Sequence, residues 1–336
     1  MRRGKFNECC PWVSWQAMNS IQLRRQSWNI SIIILAIFLG IWRISQLPQF
    51  GSYEARTFIL GILPIALLSM GQALIIIGGG INLALGAEAV LINVLSAKFM
   101  EGTDFKTSVL LALLFLFVGA AVGALTGWII SASGIADIVV TLATSFLLVG
   151  VAMFVMPEPG GGINQSLADL IAGTDSNFIP PLVWLIIPIA LIWIPLYRSR
   201  LGIAIYAIGS NKDAAFLSGV NVNFTRVKLY AIGGLFAALS GLVTTGVTLS
   251  SSPFANISNT ATLNSVAGAV LGGVSLAGGV GGLVGPVIAS LILFFIPTIL
   301  LGFGIDPSYS QIVTGSLTIF VVLLGGILRR RTGRKR

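Results

Sequence analysis

A chain of 336 residues that is 55% hydrophobic and 9% charged, with mean hydropathy +0.95, is no ordinary soluble domain, where about a quarter of residues carry charge. Its 40 glycines would destabilise helices in water, whereas in lipid they let helix backbones approach closely. Continuous apolar runs argue against an outer-membrane barrel, whose strands alternate, and the net charge of +9 has to be read by position before it says anything about nucleic acid.

The chain opens on a basic tail, residues 1–28, which holds the only cysteines, Cys9 and Cys10. Being adjacent, they are too close for an ordinary structural disulfide, and they lack the partners of a metal site. No small-residue cleavage site comes after the first apolar run, which predicts a retained anchor and not a removed signal peptide. Apolar runs read against charge and turn breaks predict spans at Asn29 to Leu47, Thr57 to Gly78, Leu83 to Lys98, Ser108 to Ile130 and Ile138 to Met156. Further spans are predicted at Leu182 to Leu196, Val227 to Leu249, Leu263 to Leu276, Leu283 to Leu301 and Tyr309 to Leu328. The expected fold is all-α, a polytopic transmembrane helical bundle of about ten spans over residues 29–328, with a basic C-terminal tail over 329–336. The third and eighth runs are short or interrupted by glycine, as expected of broken or half-inserted helices that need protein or water around them.

With the N-terminus inside, the inner segments hold 16 of the 20 lysines and arginines, in the two tails and in a central loop carrying Arg198, Arg200, Lys212, Arg226 and Lys228. The outer loop from Pro157 to Pro180 has Glu158, Asp169 and Asp175 and no base. The distribution predicts that both termini are cytoplasmic. Partitioned this way, +9 becomes +13 inside and −4 outside, with Arg43 offsetting Glu88 within the membrane. It is a topology signal that needs no nucleic-acid partner.

There is no histidine, which removes the commonest general base, the commonest metal ligand and any Ser-His-Asp triad. Glycine-rich Gly278 to Gly285 lacks the phosphate-loop lysine and the G-x-G-x-x-G spacing. We therefore expect no enzymatic activity, no metal and no cofactor in this chain. Polar residues inside spans are costly and functional by default. Gln72, Asn82, Glu88 and Asn93 are candidates to line a water-filled translocation path; alternatively Glu88 is paired or protonated at a helix interface as structural glue. Thr141, Thr144, Ser145, Thr244, Thr245 and Thr248 add hydroxyl groups, most of which should bond their own helix backbone. Gly119, Gly123 and Gly127, then Gly233, Ala237 and Gly241, then Gly268 and Gly272, have the small-xxx-small spacing of close helix contacts. Gly79 to Gly86 and Gly272 to Gly279 also resemble each other, each coming after a span predicted to run inward, as in transporters with internal repeats and broken helices.

Most informative is the inner loop from Tyr197 to Lys228. Within it Asn211 to Gly219 reads NKDAAFLSG, where Asn or Asp can cap a short helix, Ala214 and Ala215 favour it, and Gly219 can end it. A short helix on the cytoplasmic face presents a docking surface. The bland reading is a solvated loop whose bases only set orientation.

Arg200 to Val222, RLGIAIYAIGSNKDAAFLSGVNV, resembles the cytoplasmic coupling loop of ribose-type ABC transporter permeases, with its G-x-x-x-Y-A-I-G-x-N-x-x-A-A-x-x-x-G pattern. Leu263 to Gly285 is similar to that family's Gly-rich segment, and Gly78 to Gly86 resembles its G-G-I-D-L-S-x-G motif, with Asn82 and Ala84 in place of Asp and Ser. The resemblance implies the permease subunit of an importer for a monosaccharide or related polar solute in the bacterial inner membrane. It also implies a second permease copy or paralogue, separate ATPase subunits that carry ATP and Mg and dock on loop 197–228, and a periplasmic solute-binding protein. Asp213, Ala214, Ala215 and Gly219, with Asn211 ahead of them, fall on the ATPase-coupling signature. The competing reading is a secondary transporter that uses Glu88 as a proton or ion site.

Overall fold

The computed structural model describes residues 31–47, 50–174, 177–304, and 309, 312, 313, 315 and 316. These residues are predominantly helical. A first helix, α1 (Ser31–Ser45), leads into α2 (Ser52–Ile77), α3 (Leu85–Phe99), α4 (Phe105–Ser133) and α5 (Asp137–Val155). Then come α6 (Gln165–Ala172), α7 (Ile179–Ile187), a π-helical turn over Pro188–Trp193, α8 (Ile194–Arg198), α9 (Arg200–Ser210), α10 (Lys212–Leu217), α11 (Val222–Thr248), α12 (Ala255–Leu271) and α13 (Val284–Gly302). Extended backbone pairs, among the described residues, in an isolated bridge between Gly160 and Ser251. Among the described residues, six helices are long and apolar enough to cross a membrane: α2, α4, α5, α11, α13 and the run Ile179–Arg198, in which α7 and α8 join through the π-helical turn. The predicted tenth span, isolated residues apart, and both tails lie outside the described residues.

Two expectations are corrected. Hydropathy places the eighth span at Leu263 to Leu276, but α12 begins at Ala255 and ends at Leu271. Its first turns are polar because Ser258 and Thr262 pack on Gly86 of α3, where the Thr262 hydroxyl accepts from the Gly86 amide at 3.0 Å. Hydropathy misses a helix whose polar groups are used at a helix contact. The segment from Tyr197 to Lys228, expected as a loop around one short helix, is helical over most of its length as α9, α10 and the start of α11.

The small residues set the packing. A methyl group on Gly119 would lie 2.9 Å from the Gly234 carbonyl oxygen, one on Gly123 2.3 Å from that of Tyr230, and one on Gly127 3.1 Å from the Val227 Cα. These contacts run α4 antiparallel to α11 at backbone-to-backbone range, as the glycine spacing predicts. Gly241 meets the Ala89 carbonyl, which with Gly234 beside Glu88 runs α3 parallel to α11, while Gly71 on Phe236 and Gly78 on Leu229 run α2 antiparallel to it. Around this centre, α5 packs on α3 through Leu148, Val149 and Ala152, and α12 and α13 cover α2. Ile32 and Ala36 seat α1 on Ile292 of α13.

These directions give the bundle two ends. One gathers the turn after α2, the start of α5, α9, α10 and the loop after α12, and holds Arg198, Arg200, Lys212, Arg226 and Lys228. At the other end Arg56 donates to the carbonyls of Ala172 and Gly173 at 2.7 and 2.8 Å, where its positive charge meets the C-terminus of α6. Gly162 donates to the Ala97 carbonyl at 2.9 Å, and Ile171 of α6 covers Gly246 at the end of α11.

Candidate functional site

At the basic end, α10 is built by local chemistry. The Asn211 side chain accepts from the Ala214 amide at 2.9 Å, a cap of a kind worth about 1 kcal/mol elsewhere. Asp213 stands in the first turn, where the positive end of the helix favours an acid. At the far end Gly219 takes φ +84°, and the Gly219 and Val220 amides return to the carbonyls of Phe216 and Ala215 at 2.9 and 3.0 Å. No atom lies within 4 Å of where a Gly219 methyl would sit, so the glycine is there for its backbone conformation and not for space. Asn221 then caps α11 by accepting from the Phe224 amide at 3.0 Å.

Of the predicted coupling residues, Ala215 faces inward against Ile208 and Val222, and Asn211, Asp213, Ala214 and Gly219 face solvent. Sequence reasoning passes over the two large apolar side chains of α10, Phe216 and Leu217, which are 68% and 84% exposed. Phe216 borders a hollow of about 340 Å³ completed by Gly219, Val220, Asn221, Val222 and Asn223. Across Asn221 lies a second hollow, lined by Trp128, Ser131 and Phe224 among others, and the Lys228 ammonium sits 4.2 Å from the centre of the Phe224 ring.

Beneath α10, glycines from three parts of the chain meet. A methyl on Gly209 of α9 would lie 1.8 Å from the Ile77 carbonyl oxygen and 2.6 Å from the Gly279 amide. That amide donates to the same Ile77 carbonyl at 2.8 Å, and the Tyr206 hydroxyl donates to the Gly281 carbonyl at 2.7 Å. Beside them Asp137, at the start of α5, is ion-paired with Arg226 and accepts from the Tyr230 hydroxyl at 2.8 Å. In the sequence Asp137 counts only as one negative charge at an inner span end, and Gly209 only as part of a motif.

The residues predicted to line a path are all buried, but among the described residues no hydrogen bond joins any two of them. Asn82 accepts from the Ala84 amide at 2.8 Å and so shapes the turn into α3. Asn93 donates to the Thr245 hydroxyl at 2.9 Å and to the Ser250 carbonyl at 3.3 Å, tying α3 to the end of α11. Glu88 is 1% exposed; its Oε1 lies where α3 crosses α11, 2.6 Å from the position of a methyl on Gly234, and has no hydrogen-bond partner among the described residues. Gln72 is fully buried, and neither atom of its amide has such a partner. Thr144, Thr244 and Thr248 donate to carbonyls four residues back, as expected, whereas Thr245 also joins Asn93.

A membrane-embedded helical bundle with a capped surface helix at its basic end has the construction of a transport permease. Residues 55–322 match a family described as the permease component of the branched-chain amino acid transport system, and the chain belongs to that family. Its relatives include the ribose import permease of Escherichia coli (strain K12), 34% identical over 77% of this chain and 81% of the relative. The D-allose transport system permease of the same strain is 30% identical, over 79% of this chain and 80% of the relative. The galactose/methyl galactoside import permease of that strain is 28% identical, over 88% and 93%. The likeness to ribose-type permeases expected from Arg200 to Val222 is thus shown across most of the chain. No solved structure matches it.

Proposed function

We propose that this chain is the membrane-spanning permease subunit of an ATP-driven importer, and that its solute is a monosaccharide or a related small polar molecule. The observation that carries the reading is α10, a rigidly capped helix that holds two bare apolar side chains out from the basic end of the bundle. Exposed apolar groups beside a hollow mark a protein contact. An ATPase subunit is the partner that suits this face, since the basic end is the cytoplasmic one by the positive-inside rule. ATP and Mg belong on that subunit. The opposite end, with α6 lying across α11, is the face for a periplasmic solute-binding protein, and a second copy or a paralogue completes the path in the bacterial inner membrane. The family's description speaks of branched-chain amino acids, but its relatives named for ribose, allose and galactosides favour a sugar.

A complex purified through this chain is expected to bring an ATPase with it, and uptake into reconstituted vesicles is expected to require ATP. Gly219→Leu should abolish uptake while the chain still inserts, because a branched side chain resists the left-handed backbone there. Uptake that needs no ATPase, tracks the proton gradient and stops in Glu88→Gln would overturn the proposal in favour of a secondary transporter.

A further inference from the structure

The turn from Gly78 to Gly80 is gripped from two directions, and both grips belong to the helices that flank α10. On one side is α9. Gly79, at φ +83°, lies against Gly209, where a methyl on Gly79 would be 3.4 Å from the Gly209 Cα and one on Gly209 would strike the Ile77 carbonyl. On the other side is α11. A methyl on Gly78 would lie 2.2 Å from Leu229 Cδ2, and one on Gly80 would lie 2.8 Å from the Tyr230 hydroxyl and 2.7 Å from Asp137 Oδ2. The carboxylate belongs to α5 but is held on α11 by Arg226 and Tyr230 together.

Between α9 and α11 the chain consists of α10 and its caps. Interiors packed this closely transmit displacement because there is no free volume to absorb it. Moving α10 against the bundle therefore moves the end of α9, the start of α11, or both, and the turn lies between them. The turn itself joins α2, which carries Gln72, to the segment of Asn82 and Glu88. We propose that the Gly78–Gly80 turn is the receiver through which movement of α10 reaches α2 and α3, with Gly209 and Tyr230 as positioning residues. The proposal rests on the reading of α10 as the ATPase-docking helix.

The test uses the full complex, with Cys9→Ser and Cys10→Ser in this chain and Ile81→Cys as a reporter directly after the turn. Labelling by a membrane-impermeant maleimide is timed without nucleotide and after trapping with ATP and vanadate. The rate is expected to differ about fivefold or more between the two states, the lower range of ordinary allosteric coupling. Gly80 does not share the positive φ of Gly79, so Ala is allowed by the backbone and acts by crowding Asp137 and Tyr230 most and Ile75, at 3.3 Å, less. Gly80→Ala should trap nucleotide as before yet lose most of the difference in labelling. Tyr230→Phe should lose part of it, and the double variant should lose less than the two single losses multiplied, since removing the hydroxyl frees one of the two polar neighbours of the new methyl. Equal labelling in both states of the otherwise unaltered complex, an undiminished difference in Gly80→Ala, or losses that simply multiply in the double variant would overturn the proposal. Should Gly80→Ala fail to assemble, Tyr230→Phe alone decides, an unchanged difference counting against the proposal. Failure of the underlying reading is separate: no ATPase accompanies the unaltered chain, or vanadate traps nothing.

Discussion

The turns after α2 and after α12 begin alike and end differently. Gly79 and Gly273 both take φ +83°, and in both turns the chain bends back with the same pair of bonds. The amides of Gly79 and Gly80 donate to Ile76 and Ile75 at 2.9 and 3.0 Å, and those of Gly273 and Val274 to Val270 and Ala269 at 3.0 and 3.1 Å. Beyond that the first turn is short and enters α3 at Leu85. The second runs on through Gly278, Gly279 and Gly281, all at positive φ, before α13 begins at Val284. The first is clamped by α9 and α11; the second leans on the first, through the Gly279 amide on Ile77, and on α9 through Tyr206. Similar local sequence produces the same helix end, and distant packing decides whether the next stretch of chain is a clamp or a ribbon.

Substitutions can separate the two turns. Gly209→Ala strikes both, because its methyl would meet the Ile77 carbonyl and the Gly279 amide, backbone atoms that cannot rotate away. We expect about 3 kcal/mol of destabilisation, the upper range for overpacking, seen as loss of monodisperse protein in detergent. A tolerated Gly209→Ala would mean that the turns are not joined there. Asp137→Ala touches the first turn only. It leaves Arg226 without its carboxylate and should cost about 2 kcal/mol, less than a fully buried pair because both partners keep some contact with water. Thermal unfolding should show Asp137→Ala and Arg226→Ala to be less than additive.

Gly219 tests a glycine needed for conformation alone. Gly219→Ala should cost about 1 kcal/mol and Gly219→Asn less, since Asn tolerates the left-handed region. Equal losses in the two variants would point to a steric need that the open space around Gly219 does not suggest. The smallest effect is expected at the other end. Asp104 caps α4, and bonds from the Thr107 hydroxyl and then the Thr107 amide hold its carboxyl below the usual range. A folded value below the unfolded one means that the stabilisation is present above the unfolded value and is lost as pH falls through the lowered one. Asp104→Asn should remove that acid-side dependence of melting temperature and leave the labelling of Ile81→Cys unchanged.

The features legible in the sequence are those that depend on near neighbours. Asn211 and Gly219 announce the ends of α10 because a cap acts over three or four residues. The glycine rows announce close helix faces because their spacing matches the helical period. The features hidden from it depend on which helix comes alongside. Nothing near Asp137 in sequence points to Tyr230, 93 residues on, and nothing near Asn93 points to Thr245, 152 residues on. The start of α12 is hidden for the same reason: Ser258 and Thr262 look like loop residues until Gly86 of α3 is beside them. Phe216 and Leu217 escape notice because apolar side chains on an amphipathic segment are ordinarily turned inward.

The bond between the Gly279 amide and the Ile77 carbonyl also sets a timetable for synthesis. As the chain leaves the ribosome, α2 is complete long before its partner at Gly279 exists, and Arg56, within α2, waits 116 residues for the Ala172 carbonyl. The entropic cost of closing so long a loop grows only slowly with its length, so the delay lies in waiting for the partner to be made. The end of the bundle that carries α10 therefore acquires its full set of contacts only late in translation, after Gly279 has emerged, and a ribosome stalled earlier would present α9 and α10 without the structure beneath them.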